Sequence, residues 1–576
     1  MKKNILFKFF NFFFIMIFAL ALVSCGDKGG GSDITIDENG NIKPGADGAV
    51  TTVKFWGWGG SEETEVFKEI VEAFNKKYEG VIKVDYIQKP ATGYATNLLT
   101  TLAGSKGPDV FYVKDDYYKQ YASLNYLYDI TELFNKSKVI SEEEMFPGII
   151  SRYRYDAVTT TSNADDPLLG LPKDLAPTAI YYNATQLKKA GVTIISMTEE
   201  EALKAGYTVK GFDLKTKVFN NKIAMSWSDC VELSKLLMST GASEYGFFSE
   251  WWFNYAWSVG GDCVEYVPSN DSQDNGGYYQ FTLNDSSKNY IVKDDFEGSM
   301  QVGSGSYSAG EIISYLDKAQ LTAAQKANCN ELPSQREAFT EFVRLSQKSS
   351  VVVDNVKGVY SNVSDFYGAD ANGNLYGYGI TPNPTTISSE GKTGYFTSGK
   401  LGLLFNTMSA VKQIRENMND EWGVAPALVY KEYSADGKEV LVHGIEAAHS
   451  GSVAMCINRK SKVAQAAYKF IEFVASAEGQ TIQAKAGFAI PLQVDVANSD
   501  VYLSGENAGK NLEVFIDACY YETPGDWWYL RDKKWIDDWA NVLNGDVRNG
   551  VITLSQFYEN QYFLAAQGLL YDYTRK

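Results

Sequence analysis

TTVKFWGWGGSEETEVFKEIVEAFNKKY, residues 51–78, changes its hydrophobic period in the middle. The first ten residues are rich in β-branched and aromatic side chains and end in glycines, which predicts a strand followed by a turn. Ser61, Glu62 and Glu63 then supply the chemistry of a helix start, and Val66, Ile70, Val71 and Phe74 recur at helical spacing. Next, VIKVDYIQ (81–88) reads as a second strand. TNLLTTLAGSKGPDVFYVKDD (96–116) reads as a helix, a turn and a buried strand DVFYV. Strand, helix, strand, helix, strand is a βαβ series, so a parallel sheet and an α/β fold are expected. Ligands of such sheets sit at the C-terminal strand ends. Those ends carry Trp56-Gly57-Trp58 after the first strand and Lys114-Asp115-Asp116 after the third.

A chain of 576 residues is too long for one core and predicts two large lobes. Its net charge of −18 argues against nucleic acid, whose binding needs a basic face. Aromatic residues make up 14% of the chain, with 38 tyrosines, and such rings suit surfaces that grip amphipathic ligands. There are two histidines, His443 and His449, which leaves little for a His-rich metal site or a histidine-dependent triad. No metal, cofactor or catalytic residue is expected. Apart from Cys25, the cysteines Cys230, Cys263, Cys329, Cys456 and Cys519 match no CxxC spacing and read as small buried residues. A Cys263–Cys329 disulfide across an insertion stays open for an exported chain.

The N-terminal residues carry Lys2, Lys3 and Lys8, then an apolar run from Phe9 to Val23 broken by Asn11, then Ser24-Cys25-Gly26. That run of about 15 residues is shorter than the roughly 20 a spanning helix needs. Residues 1–24 are expected to be a secretory signal peptide. Leu22-Val23-Ser24-Cys25 resembles a bacterial lipobox, which implies cleavage before Cys25 and lipidation at that residue. Acyl burial is worth roughly 0.8 kcal/mol per CH₂, and firm anchoring takes more than one chain. Residues 25–50, rich in Gly and Asp, read as a flexible tether from the lipidated Cys25.

Other motifs fail on inspection. The GKT at 391–393 lacks the glycine a phosphate-binding loop needs, since Thr386 stands there. DANGN (370–374) is followed by Leu375 where a calcium loop requires glycine, and reads better as a hairpin turn in a tyrosine-rich strand pair. No GxSxG elbow occurs, and the many carboxylate pairs of so acidic a chain do not indicate catalysis.

With FWGWGG, AFNKKYEGVIKV and GSKGPDVFYV in place, the chain resembles family 1 extracellular solute-binding proteins, the sugar-binding components of ABC importers. GLPKDLAPTAIYYNATQLKKAGV (170–192) and SWSDCVELSKLL (226–237) fit the same pattern. SVGGDCVE (258–265), YFTSGKLGLLFN (395–406), EWGVAPAL (421–428), AAYKFIEFVASAEGQ (466–480, a single helix), GFAIPLQ (487–493) and VLNGDV (542–547) follow in the family's order. The resemblance covers about 51–560. It implies a two-lobed periplasmic-binding-protein fold with an interlobe ligand cleft and hinge crossings near 174–180, 445–452 and 500–512. The first lobe would be 51–175 plus 450–505, and the second 176–449 plus 506–576. Two stretches, 263–335 and 352–394, look longer than usual and would be insertions in the second lobe, serving as lids, transporter contacts or inert decoration. Ser409 stands where the family often has an aromatic, which puts a stacking contact from that side in doubt.

A sugar site needs planar polar groups for hydroxyls and aromatic faces for the apolar side of a ring. The resemblance places several candidates at the cleft. Trp56 and Trp58 end the first strand, with core packing the alternative for Trp58. Asp115 and Asp116 end the third, and Asp116 matches a position from which the family contacts a sugar hydroxyl. Asp174 is a hydroxyl acceptor at the first crossing, unless Lys173 beside it takes it as a partner. Glu250, Trp251 and Trp252 face the cleft in relatives, or else form a buried aromatic helix. Asn406, His449 and Ser450 occupy cleft-lining positions, and Trp527, Trp528 and Arg531 would form an aromatic wall from the second lobe. The expected function is capture of a carbohydrate, with an oligosaccharide favoured, by a monomeric, membrane-anchored protein that delivers it to ABC permease subunits. A non-sugar solute, a sensor or adhesin, and a surface glycosidase are the alternatives; the last would require two carboxylates about 5–10 Å apart across a glycosidic bond.

Overall fold

The structure is a computed structural model. It describes residues 32–36, 42–45 and 48–574 except 105–106, 158–161, 275, 347, 357–367, 488, 505–507, 524, 526–529 and 531–532. The leader, Cys25, Trp527, Trp528 and Arg531 lie outside the described residues, and so does most of the tether.

Strand β1 (Thr51–Trp58) buries Thr51, Val53, Phe55 and Gly57 on one side, the alternation of a strand covered by helix. Helix α1 (Ser61–Lys77) lays Phe67, Ile70 and Phe74 onto that side, with the Phe55 and Phe67 rings 6.2 Å apart. Strand β2 (Ile82–Lys89) runs parallel to β1, helix α2 (Tyr94–Ala103) follows, and β3 (Val110–Lys114) adds on the other side of β1, also in parallel. The βαβ reading therefore describes the start of the first sheet. Helix α3 (Asp115–Ser123) leaves β3 directly, its first turn holding two acidic residues that suit the positive end of the helix dipole.

Two short passages link this sheet to a second. Strand β4 (Leu171–Pro172) belongs to the first sheet, while β5 (Ala176–Asn183) is central to the second. In the second lobe, α4 (Trp227–Ser239), β6 (Tyr245–Phe248), α5 (Phe253–Ser258), α6 (Gln335–Arg344), β7 (Leu401–Thr407) and β8 (Trp422–Ala425) follow. Strand β9 (Ala448–Gly451) pairs with β5, and β10 (Val453–Ile457) begins two residues later in the first sheet, antiparallel to both β3 and β4. The first sheet thus runs β2-β1-β3-β10-β4. The second adds β11 (Glu522–Thr523) and runs β6-β7-β5-β9-β11, with β8 also on β5.

The segment 466–480, read as one helix, is two: α7 (Ala464–Ala475) and α8 (Ala477–Ala486). Ser476 between them is extended, and its hydroxyl accepts the Gly479 N–H at 3.4 Å as the cap of the second helix. The DANGN turn is formed: Gly373 has φ 82°, the Gly373 N–H bonds to the Asp370 carbonyl at 3.0 Å, and Ala369 bridges Leu375. The stretch 263–335 builds antiparallel pairs, 264–268 with 277–281 and 289–292 with 329–332. It has a small core of its own around Tyr290, Val292, Met300, Val302 and Ile313. The Cys263–Cys329 disulfide is not formed. All five described cysteines are buried thiols, with Cys263 in the main core of the second lobe and Cys329 in the small one. Helix α9 (Lys534–Val542) sets Trp535 and Trp539 into the core of the second lobe.

Candidate functional site at the junction of the two lobes

The C-terminal end of β3 places Asp115 and Asp116 where β9 passes into β10. The Asp115 N–H reaches the Ser452 carbonyl at 3.4 Å. Behind it lies Arg152, buried, whose guanidinium donates to the Ser450 carbonyl at 2.8 Å and pairs with Glu522 of β11. That pair joins parts of the chain 370 residues apart and fixes the junction from the second-sheet side. The Asp116 carboxylate receives Lys533 at 3.5 Å, a contact from the segment leading into α9.

Two carboxylate oxygens in this cluster are buried and unpaired. Asp115 Oδ2 and Asp116 Oδ1 have no hydrogen-bond partner among the described residues. Burial, and then the neighbouring Asp116 charge, push the Asp115 carboxyl up to about 6, with Arg152 opposing. Asp116 and Asp537 hold Lys533 above its ordinary value against the effect of burial. His449 on β9 lies 6.0 Å from the Phe253 ring and 6.5 Å from Trp257; burial, then the Arg152 charge, bring it down to about 3, so it is neutral at pH 7. Phe253 stacks between Trp251 (5.6 Å, 9°) and Trp257 (5.0 Å, 16°), an aromatic ladder on the second-lobe side.

The first lobe contributes a cavity of about 250 Å³ lined by Trp58, Tyr94, Tyr112, Lys114, Tyr117 and Tyr121. Trp58 leans on Tyr94 (4.6 Å) and meets Tyr112 edge-on (5.2 Å). Lys533, the partner of Asp116, lies 5.9 Å from the Tyr117 ring, which connects this cavity to the carboxylates.

The other candidates have structural partners. Trp56 does not line that cavity; its ring lies under the Lys89 ammonium at 4.0 Å. Asp174 pairs with Lys173, which also bonds Glu63 at 2.9 Å. Although burial works against it, Lys173 is held above its ordinary value by these two carboxylates. Glu250 pairs with Lys392 at 2.5 Å. Trp252, the residue that precedes helix α5, is 1% exposed and packs on Trp539 at 4.7 Å. Asn406 is buried, donating to Thr393 Oγ1 at 3.2 Å and accepting the Thr407 N–H at 3.0 Å. Ser450 is fully buried, with its carbonyl on Arg152 and its hydroxyl on the Gly451 carbonyl.

Arg152, Glu522, Lys533, Tyr94 and Tyr117 were not singled out in the sequence. Arg152 and Glu522 lie in no periodic pattern, and only their mutual pairing marks them. Lys533 sits in GDWWYLRDKKW, the run whose aromatics drew attention instead. Among the described residues no group of three or more His, Cys, Asp or Glu is arranged to hold a metal ion, and no helix is long and apolar enough to cross a membrane.

Two α/β lobes exchange strands at adjacent residues and bring carboxylates and aromatic rings of both together at the exchange. This is the two-lobed fold of periplasmic solute-binding proteins. Two family models described as bacterial extracellular solute-binding protein match residues 60–328 and 353–508, and the chain belongs to that family. A comparison with curated protein sequences gave no match. Among solved structures, it is similar to the ABC substrate-binding protein Lmo0181 from Listeria monocytogenes in complex with cycloalternan, at 16% identity and TM-score 0.56, over 90% of this chain and 98% of that one. It is similar also to the GacH receptor of Streptomyces glaucescens, solved unliganded and with acarbose (16%, TM-score 0.53, 91% and 99% covered). A third is the cyclic alpha-maltosyl-1,6-maltose binding protein from Arthrobacter globiformis (13%, TM-score 0.53, 91% and 100% covered). At these identities the likeness is one of fold.

Proposed function

We propose that this protein captures a carbohydrate, with an oligosaccharide favoured, between its two lobes and delivers it to an ABC importer. The observation that carries the reading is the pair of buried, unpartnered carboxylate oxygens, Asp115 Oδ2 and Asp116 Oδ1, at the junction. Leaving a buried acceptor unsatisfied costs about 1–3 kcal/mol, more for a charged group, and sugar hydroxyls are donors that would relieve it. Trp58 with its tyrosine neighbours offers aromatic faces for the apolar side of a ring. The names of the structural relatives, which include binders of cycloalternan and of cyclic maltosyl-maltose, support the class.

Closure would use the two passages around residues 173–175 and 452, where the chain changes sheets, together with a third near 500–512, as the hinge. The leader and Cys25 support a protein held outside the cell membrane by lipid, and we take it to act as a monomer. Membrane fractionation of Cys25→Ala tests the anchor: the variant should leave the membrane, and retention there would refute lipidation at Cys25.

A thermal-shift screen against mono- and oligosaccharides, with peptides and polyamines as controls, tests the ligand class. A ligand present at 100 times its dissociation constant stabilises by about 2.7 kcal/mol. A shift confined to glycans is expected. A shift with peptides or polyamines and none with glycans would overturn the reading.

A further inference from the structure

A further cavity lies away from the junction. It has a volume of about 510 Å³ and lies in the second lobe. Trp227 and Glu232 of α4 form one side, Tyr430 and Tyr378 contribute rings, and Lys288 with Glu331 close it from the 263–335 insertion. None of these residues belongs to the junction. Helix α5 stands between the two places: Phe253 and Trp257 pack near His449, while Tyr255, on the opposite face of the helix, lies 4.9 Å from the Trp227 ring.

Most polar groups of the cavity are already satisfied. Lys288 bonds Glu337 at 2.7 Å, and Glu341 takes Arg344 at 2.5 Å and the Tyr378 hydroxyl at 2.7 Å. Two groups are left over. Trp227 is 7% exposed and its indole Nε1–H has no acceptor among the described residues. Glu232, half-buried and lining the same cavity further along the helix, makes no hydrogen bond or ion pair within 4 Å among the described residues. Burial raises its pKa, with Lys210 opposing.

An indole N–H demands an acceptor, and a carboxylate demands donors. A polyamine offers donors only and would leave the indole unpaired. An anion offers acceptors only and would meet Glu232 and Glu331. Hydroxyl groups offer both, and the half-buried Tyr430 ring on the cavity wall, packed edge-on against Trp227 at 5.1 Å, suits the C–H face of a sugar ring. The volume lies within the roughly 300–1,000 Å³ of small-molecule sites.

We infer that this cavity is a second saccharide-binding site, separate from the junction and walled partly by the insertion, in which Trp227 donates to and Glu232 accepts from ligand hydroxyls. The inference does not depend on the junction reading. Its test uses saturation-transfer NMR on the protein carrying Asp115→Asn and Asp116→Asn. The probes are glucose, galactose, mannose, maltotriose, cellobiose and xylobiose, with spermidine as control. At least one sugar should still receive saturation. Trp227→Phe, which keeps a ring but removes the donor, and Glu232→Gln, which keeps the shape but removes the charge, should each weaken that binding about tenfold. Circular dichroism would show whether each variant stays folded, and either variant alone suffices for the test. No transfer to any sugar in the double variant would overturn the inference. So would transfer that both second-site variants leave unchanged, or saturation of spermidine alone. Failure of the junction reading would look different: wild type and double variant would bind the same sugars equally.

Discussion

Asp174 and Asp115 stand at neighbouring places in the fold, each beside a passage between the sheets, and they have opposite surroundings. Asp174 is shared with Lys173 and, through it, with Glu63, and the glutamines Gln480 and Gln483 both donate to the Lys173 carbonyl. Every charge in that cluster has a partner. Asp115 keeps an oxygen that is buried and bare, beside a second aspartate with another. The same residue type at similar depth is thus a clamp in one place and an unfilled acceptor in the other. Its partners, rather than its identity, separate a structural carboxylate from one waiting for a ligand.

The largest expected effect falls on the clamp. Lys173→Met leaves Glu63 and Asp174 facing each other without the cation, and removing one partner of a buried ion pair costs about 3–5 kcal/mol. Chemical denaturation should show that loss; an unchanged midpoint would mean the two clusters do not differ as described. Next comes the pH response at the junction. Since the Asp115 pKa is raised to about 6, the folded state holds a proton there that the unfolded chain has lost, between about pH 4 and 6. Stability from this group is therefore full below about pH 4 and falls as pH rises to about 6, by on the order of 3 kcal/mol. Asp115→Asn should remove that slope, so the variant gains on wild type as pH rises; identical pH profiles would contradict the assignment.

Affinity effects are smaller. Asp116→Asn should weaken glycan binding by about 1.5–3 kcal/mol, roughly ten- to a hundredfold, with little change in stability. Calorimetry would check it, and an equal loss in Lys173→Met would erase the contrast between the clusters. Trp58→Phe should cost about 1 kcal/mol or less, a several-fold weakening, because a smaller ring still covers part of a sugar face.

Much of the architecture was legible because it rests on local period. The strand and helix patterns of 51–114 follow from alternation and helical spacing, and they appear where those patterns lie. What could not be read was anything decided by distant partners. Trp251 and Trp252 are adjacent and alike in sequence, yet one stacks on Phe253 and the other fills the second core, a difference set by α9 far downstream. The Arg152–Glu522 pair has no local signal at all. Ser476 has the residue type of a cap, but the helical run ahead of it, residues 466–475, carries no sign of a break.

The most direct measurement is a crystal structure with whichever glycan gives the largest thermal shift. The account predicts ligand hydroxyl oxygens within about 3 Å of both Asp115 Oδ2 and Asp116 Oδ1, at the junction of the lobes. A glycan bound elsewhere, with those two oxygens still bare, would contradict it.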